Sequence, residues 1–150
     1  MAKKEIITFG PGSATIPAVN VNSRVGVHGP NRSEDVMLIQ SLFRYIGADG
    51  NLRKRLLGNF ELPKPDGVCG PKTRRAILDF QRRNSHRLLR VDGAIDPASY
   101  DGRVIKDISK PVMTVQLLHF YACDAALFQP DSDYIAGLVR IEPRLRPFLN

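Results

Sequence analysis

The sequence is poor in residues that much protein chemistry depends on. It has no tryptophan, two cysteines and three histidines, and its aromatic content is 7%. Cys69 and Cys123 stand far apart, with no Cys-x-x-Cys pair and no histidine at metal-ligand spacing, so no metal site is predicted. Few aromatic rings also mean few platforms on which nucleic-acid bases could stack, which disfavours a nucleic-acid partner.

Long apolar segments are also missing. No stretch is apolar enough to span a bilayer, which argues against a membrane protein. The first residues, MAKKEIITFGPGSATIP, contain two lysines but no apolar run of signal-peptide length. We therefore expect synthesis in the cytoplasm without a signal peptide. Delivery to the periplasm or wall would then need a route other than the general secretory one.

Residues that could support catalysis are not arranged as an active site requires. His28, His86 and His119 have no second histidine or acid at metallopeptidase spacing. Cys69 precedes a predicted helix N-terminus, where a thiolate would be stabilised, but a small apolar residue filling a turn explains it as well. A glycosidase-type pair stays open among four glutamates: Glu5, Glu34, Glu61 and Glu142. We predict no catalytic residues, no cofactor, and a protein that is not an enzyme.

Positive charge is what the chain has in excess. It carries 22 Lys and Arg against 15 Asp and Glu, which gives a net charge of +7 and a pI near 9.8. One stretch holds many of the basic residues: Lys72, Arg74, Arg75, Arg82, Arg83, Arg87 and Arg90. The excess favours an acidic partner, although a solvated helix face also explains such a run.

Two stretches of the chain repeat one pattern. Residues 65–84 read PDGVCGPKTRRAILDFQRRN and residues 91–99 read VDGAIDPAS. In each, Asp-Gly signals a turn and a proline suits the first position of a helix. The pattern predicts a helix from Pro71 to about Asn84 and a shorter one from Pro97 to about residue 104 or 106. In the second copy Asp96 replaces the glycine, and Ser99 takes the place of Thr73.

Other helices are predicted on both sides of this repeat. Apolar residues at helical spacing predict a helix over about 34–46, with Ser33 as its cap, and residues 51–64 lack a clean period and form an insertion. A helix that is apolar nearly all around begins at Pro111, and it is either buried or docks a partner. Asp131 and Asp133 start another helix, and the last residues form an irregular strap.

These elements predict a mainly α protein built on a three-helix bundle with an internal pseudo-repeat. Residues 1–24 form an extended N-terminal arm, residues 25–106 form the domain, and residues 107–150 form a helical extension packed on it. Because the apolar tail helices exceed what a three-helix unit needs, residues 111–150 are also the expected surface for a protein partner.

The sequence resembles the three-helix peptidoglycan-binding domains attached to bacterial and phage cell-wall hydrolases. Their first helix has the form D-V-x-x-L-Q-x-x-L, matched by Asp35, Val36, Ile39, Gln40 and Phe43. The D-G-x-x-G-P-x-T-x-x-A-(hydrophobic)-x-x-F-Q motif is matched at Asp66, Gly67, Gly70, Pro71, Thr73, Ala76, Ile77, Phe80 and Gln81. The closing motif is matched at Val91, Asp92, Gly93, Pro97 and Ser99. The similarity covers about residues 25–105. Two features depart from it: the insertion after Gly50, and the residue Asp96, which stands where the family usually has glycine.

The resemblance implies a binding module without chemistry of its own. Its ligand would be peptidoglycan, and a stand-alone module of this kind would serve as an adaptor of a secretion apparatus or phage tail. The alternative is a protein-interaction scaffold that uses the same fold without binding wall material. Gln40 and Gln81 match motif glutamines whose amides bond either backbone or ligand. Charge and expected exposure add four candidate ligand contacts: Tyr45, Arg74, Arg75 and Arg82.

Overall fold

The computed structural model describes residues 2–8, 15–100 and 110–149, and it is mainly helical. Its α-helices are α1 Ser33–Gly47, α2 Gly50–Leu52, α3 Pro71–Arg83, α4 Thr114–Ala126, α5 Tyr134–Ile141 and α6 Arg146–Leu149. Its strands are β1 Lys3–Thr8, β2 Thr15–Asn20, β3 Val25–Gly26 and β4 Ala94–Ile95. Strand β1 pairs antiparallel with β2, and β3 pairs antiparallel with β4. The extended N-terminal arm predicted from the sequence is thus a hairpin in its described residues.

Helix α1 forms where the apolar spacing predicts it, but its first turn is held differently. Ser33 is the first helical residue and not the cap, because Arg32 holds the cap position and makes no side-chain bond there. Asp35 is buried and accepts hydrogen bonds from the backbone N–H of Asn22 (2.9 Å) and of Ser23 (3.1 Å). The acid in the first turn therefore ties the preceding loop to the helix.

The insertion after α1 is anchored to the core. Asp49 caps α2, and the chain continues as a π-helix over Arg53–Leu57 that ends at Gly58, whose φ is +92°. Leu56, Leu57 and Phe60 are buried, and the ring of Phe60 meets that of Phe43 edge-on at 5.5 Å. Because its apolar side chains are buried, the insertion holds a fixed wall beside α3.

Helix α3 confirms the prediction from the first repeat. Pro71 occupies the first turn, and the buried face consists of Thr73, Ala76, Ile77, Phe80 and Gln81. The opposite face carries basic residues that are open to solvent.

The helix expected from Pro97 does not begin there. Residues 97–100 are not helical, and the rest of that predicted helix falls outside the described residues. The side chain of Asn20 bonds both backbone groups of Ala98, with 2.7 Å to its carbonyl oxygen and 3.1 Å from its N–H. Asp96, which stands where the family has glycine, pairs with Arg24 at 3.1 Å. These contacts hold the second copy against β2 and the loop before α1.

The tail helices are part of the core. Helix α4 starts at Thr114 and not at Pro111, because Val112 bonds the backbone of Arg87 (3.0 Å) and Leu89 (2.9 Å) and keeps this part extended. Most of α4 is buried, so of the two fates predicted for this helix the structure shows the buried one. Asp133 caps α5 as predicted, through Ala136 N at 2.8 Å.

The end of the chain is helical and not an irregular strap. A 3-10 turn at Pro143–Leu145 leads into α6, and Leu145 and Leu149 are buried. A single apolar cluster joins side chains of the N-terminal hairpin, of α1 and α3, and of α4 to α6. The predicted segments 1–24, 25–106 and 107–150 therefore share one core, and their limits as domains stay predictions.

Candidate ligand-binding groove

Gln40 holds the first Asp-Gly turn from inside α1. Its Oε1 accepts a hydrogen bond from Gly67 N at 2.9 Å. Its Nε2 lies 3.0 Å from Asp66 Oδ1, Val68 O and Thr73 Oγ1, to which it donates. Gly67 adopts φ +78°, a conformation that favours glycine. Since Gln40 is only 1% exposed, its amide is fully used in fixing this turn and the start of α3.

Gln81 holds the second Asp-Gly turn in the same way. Its Oε1 accepts from Gly93 N at 2.8 Å, and its Nε2 donates to Ala94 O at 2.8 Å and to Thr114 Oγ1 at 3.0 Å. Gly93 has φ +76°, close to that of its counterpart in the first turn. The two turns are thus built alike, each around a glutamine from earlier in the chain. This glutamine comes from α1 for the first turn and from α3 for the second.

The residue that completes the second turn is not the one predicted from the repeat. Thr114, the first residue of α4, has the place beside Gln81 that Thr73 has beside Gln40. Ser99, which the sequence placed there, offers its backbone oxygen to Gln116 Nε2 at 2.7 Å. The substitute lies 15 positions further along the chain, which no local pattern could indicate.

Three of the six predicted ligand residues are therefore inside the protein. Gln40 and Gln81 are bonded as described, and Tyr45 is fully buried with its ring beside that of Tyr134. Burial raises the pKa of Tyr45 to about 12. None of these three side chains offers a surface to a ligand, because their neighbours cover them.

A groove opens at the N-terminal end of α3, where the insertion forms the facing wall. Its volume is about 490 Å³. Lys72 Nζ meets Glu61 Oε1 at 2.9 Å across it, and a second groove of about 400 Å³ continues on the other side of this ion pair. The residues lining the first part are Arg44, Glu61, Leu62, Pro63, Lys64, Asp66, Val68, Gly70, Pro71, Lys72 and Thr73.

Positive groups dominate one side of this groove. Lys64 and Lys72 are exposed, and Arg44 is fixed by donating from Nε to Pro63 O at 3.0 Å. The bond from Lys72 lowers the pKa of Glu61. The N–H of Val68 and the amide of Gln40 lower the pKa of Asp66, so both acids in the groove are ionised at neutral pH.

The end of α3 adds to the positive potential of the groove. Its N-cap is Gly70, which has no side chain with which to cap, and Pro71 follows it. First-turn N–H groups and the helix dipole favour a negative group at such an end. Together with Lys64 and Lys72, this arrangement can bind a carboxylate.

The three predicted arginines lie on the surface of α3 at different distances from the groove. Arg75 lines its second part, next to Ala76. Arg74 donates from Nε to Cys69 O at 3.1 Å, and neither Arg74 nor Arg82 lines either part. Sequence reasoning missed Lys64 because it treated the insertion as a departure from the family and not as a wall of the site.

Within residues 2–8, 15–100 and 110–149, no group of three His, Cys, Asp or Glu side chains is placed to hold a metal ion. No helix in the same ranges has the length and apolar character needed to cross a membrane.

The family comparison agrees with the geometry. Residues 32–101 match the family model of a peptidoglycan binding domain, which confirms the resemblance found in the sequence. The matched segment contains both Asp-Gly turns and both parts of the groove beside α3. No curated protein and no solved structure matches the chain.

Proposed function

We propose that residues 32–101, which match the family model of a peptidoglycan binding domain, attach this protein to the bacterial cell wall through the groove beside α3. The observation that carries the proposal is the position of the groove. It lies within the matched segment, at a helix N-terminus, between the basic side chains Lys64 and Lys72.

The chemistry of the ligand fits this groove. Peptidoglycan stem peptides carry carboxylates, which ammonium and guanidinium groups bind by charge-assisted hydrogen bonds. Lys64 is exposed beside the N-terminus of α3, and Lys72 can exchange Glu61 for a ligand carboxylate because their ion pair is exposed to solvent. Arg75 would then meet a neighbouring acidic group in the second part of the groove.

The wider role we propose is that of a non-catalytic adaptor, which would hold a secretion apparatus or a phage tail at the wall. This role matches a protein with a wall-binding segment and further elements around it, since β1, β2 and α4 to α6 lie outside the matched residues. Such an apparatus would also carry the protein to the wall.

The alternative function is a protein-interaction scaffold that keeps the fold without binding the wall. The turns held by Gln40 and Gln81 favour this alternative, because the fold needs these turns whatever ligand or partner the protein binds. Sacculus binding separates the two functions.

The decisive experiment is co-sedimentation of the full chain with insoluble peptidoglycan sacculi at low and at high salt. We expect the unaltered protein to pellet with sacculi at both, with a smaller bound fraction at high salt because Lys64 and Lys72 are exposed and salt screens their charges. Lys64→Ala/Lys72→Ala should reduce the bound fraction by roughly tenfold, since two charge-assisted contacts would be lost.

The control removes two positive charges from outside the groove. Arg74→Ala/Arg82→Ala has the same net charge as the groove variant and should retain binding within about twofold, because neither arginine lines the groove. Equal losses in both variants would point to general electrostatic attraction. No sedimentation of the unaltered protein would refute wall binding and leave the scaffold function.

A further inference from the structure

A separate groove, distinct from both parts of the groove beside α3, lies entirely outside residues 32–101. Its volume is about 430 Å³, and its walls come from β1, α5 and the residues of α6. The apolar part consists of Ile135, Val139 and Leu149. The rim carries three basic side chains: Lys4, Arg140 and Arg146.

Two of these three basic side chains have no ion-pair partner among the described residues. Arg140 is held by Asp131 through two bonds of 2.9 Å each, from Nε to Oδ1 and from a terminal nitrogen to Oδ2. Lys4 and Arg146 are exposed and make no ion pair within the part of the chain that the structure describes. The acid in the groove, Asp133, is engaged at the start of α5, where its carboxylate accepts from Ala136 N.

The apolar surface continues from the groove onto β1. Ile6 is 61% exposed. It lies on the same face of β1 as Lys4, because alternate residues of a strand share a face. An exposed isoleucine next to a lysine that has no ion-pair partner among the described residues gives this surface a mixed apolar and positive character.

We propose that this groove, bounded by Lys4, Ile135, Val139 and Arg146, binds an acidic amphipathic segment of a partner protein. Carboxylates of the segment pair with Lys4 and Arg146, and its apolar side chains cover Ile6 and the groove floor. The proposal rests on the adaptor part of the proposed function and not on wall binding, because the two grooves have no residue in common.

The test uses the full chain and amide NMR spectra. The probes are short synthetic peptides in which leucine and glutamate alternate at several spacings, and matched peptides with lysine in place of each glutamate. We expect at least one acidic peptide to shift the amide signals of β1 and residues 133–149, while residues 59–76 are unaffected. The lysine peptides should produce no shifts there, because Lys4 and Arg146 repel them.

A charge-reversal pair identifies the contacts. Lys4→Glu/Arg146→Glu should weaken binding of the acidic peptide by roughly tenfold or more, and Lys54→Glu/Arg55→Glu, the same change on the exposed π-helix, should leave it within about twofold. Sedimentation with sacculi should not change in the Lys4/Arg146 variant, so loss of one function is distinguishable from loss of the other.

Three outcomes would overturn the proposal. The first is that no acidic peptide in the panel shifts these amides. The second is that acidic and lysine peptides bind alike. The third is that vesicles of anionic lipid shift the amides while every acidic peptide leaves them unchanged, which would make this face a lipid-binding surface.

Discussion

At the scale of single residues, the two motif glutamines are bonded within the protein and hold its turns. Each amide has a backbone N–H on one side and acceptors on the other, and each lies in the interior. Buried polar groups of this kind are costly to leave unpaired. The glutamine thus fixes the turn that starts α3, and with it the wall of the groove.

Replacing Gln40 with leucine should lower the free energy of unfolding by about 2–4 kcal/mol, because Gly67 N and Thr73 Oγ1 would lose their buried partner. Chemical denaturation measures this. Gln129→Leu is the matched control, since Gln129 makes one long bond of 3.4 Å to Tyr45 O, and it should change stability by less than about 0.5 kcal/mol. A Gln40→Leu protein of normal stability that fails to bind sacculi would instead make Gln40 a ligand contact.

At the scale of elements, α5 packs against α1 at Gly137, whose backbone lies against the ring of Tyr45. A Cβ at Gly137 would collide with the ring of Tyr45 and would lie 3.0 Å from Asp131 Oδ2. The backbone of α5 therefore rests directly on the tyrosine ring, which also explains why Tyr45 is buried and not exposed. The helix that follows residue 133 decides the environment of a residue in α1.

Gly137→Ala should destabilise the protein by about 1–3 kcal/mol, although alanine is the better helix former, because the added methyl group has no space beside Tyr45. The measurement is thermal or chemical unfolding of a double-mutant cycle with Tyr45→Leu. In the Tyr45→Leu background the same alanine should cost less, since the ring is gone. An equal cost in both backgrounds would show that the contact with Tyr45 is not the cause.

At the scale of the whole molecule, His119 joins the N-terminal hairpin to the C-terminal helices. Its Nδ1 lies 2.6 Å from Tyr134 Oη, and Tyr134 Oη accepts from Val19 N at 3.0 Å. The hydroxyl proton of Tyr134 is thereby directed to a neutral imidazole. Burial lowers the pKa of His119 from 6.5 to about 4, so the ring stays neutral through the physiological range.

This junction makes stability depend on pH. The unfolded chain binds a proton at His119 below pH 6.5, whereas the folded protein resists it until about pH 4. Stability is therefore complete above the unfolded pKa and falls as the pH drops toward the folded one. Between pH 7.5 and pH 5 the expected loss is about 2 kcal/mol, which chemical denaturation at the two pH values measures.

A variant that cannot titrate isolates this contribution. His119→Gln keeps an acceptor for Tyr134 and should remove most of the change in stability between the two pH values. If the slope with pH is the same in both proteins, a group other than His119 is responsible.

Features that depend on the conformational preferences of neighbouring residues could be predicted from the sequence. Asp66-Gly67, Gly70 and Pro71 specify a turn and a helix start, because their backbone preferences act within a few residues. The apolar spacing of α3 likewise indicates which of its faces is buried. The family motif suggested peptidoglycan as a ligand, and the excess of basic residues favoured an acidic partner.

Features that depend on contacts between residues distant in the chain could be found only in the folded structure. Asn20 holds Ala98 in extended chain where the repeat predicted a helix, and Thr114 replaces the expected Ser99 beside Gln81. The ligand site that we propose is a groove and not the buried glutamines, and the second wall of this groove comes from the insertion. Hydrogen bonds and packing between such distant segments form only when the chain has folded. Local sequence preferences act within a few residues and therefore do not predict these contacts.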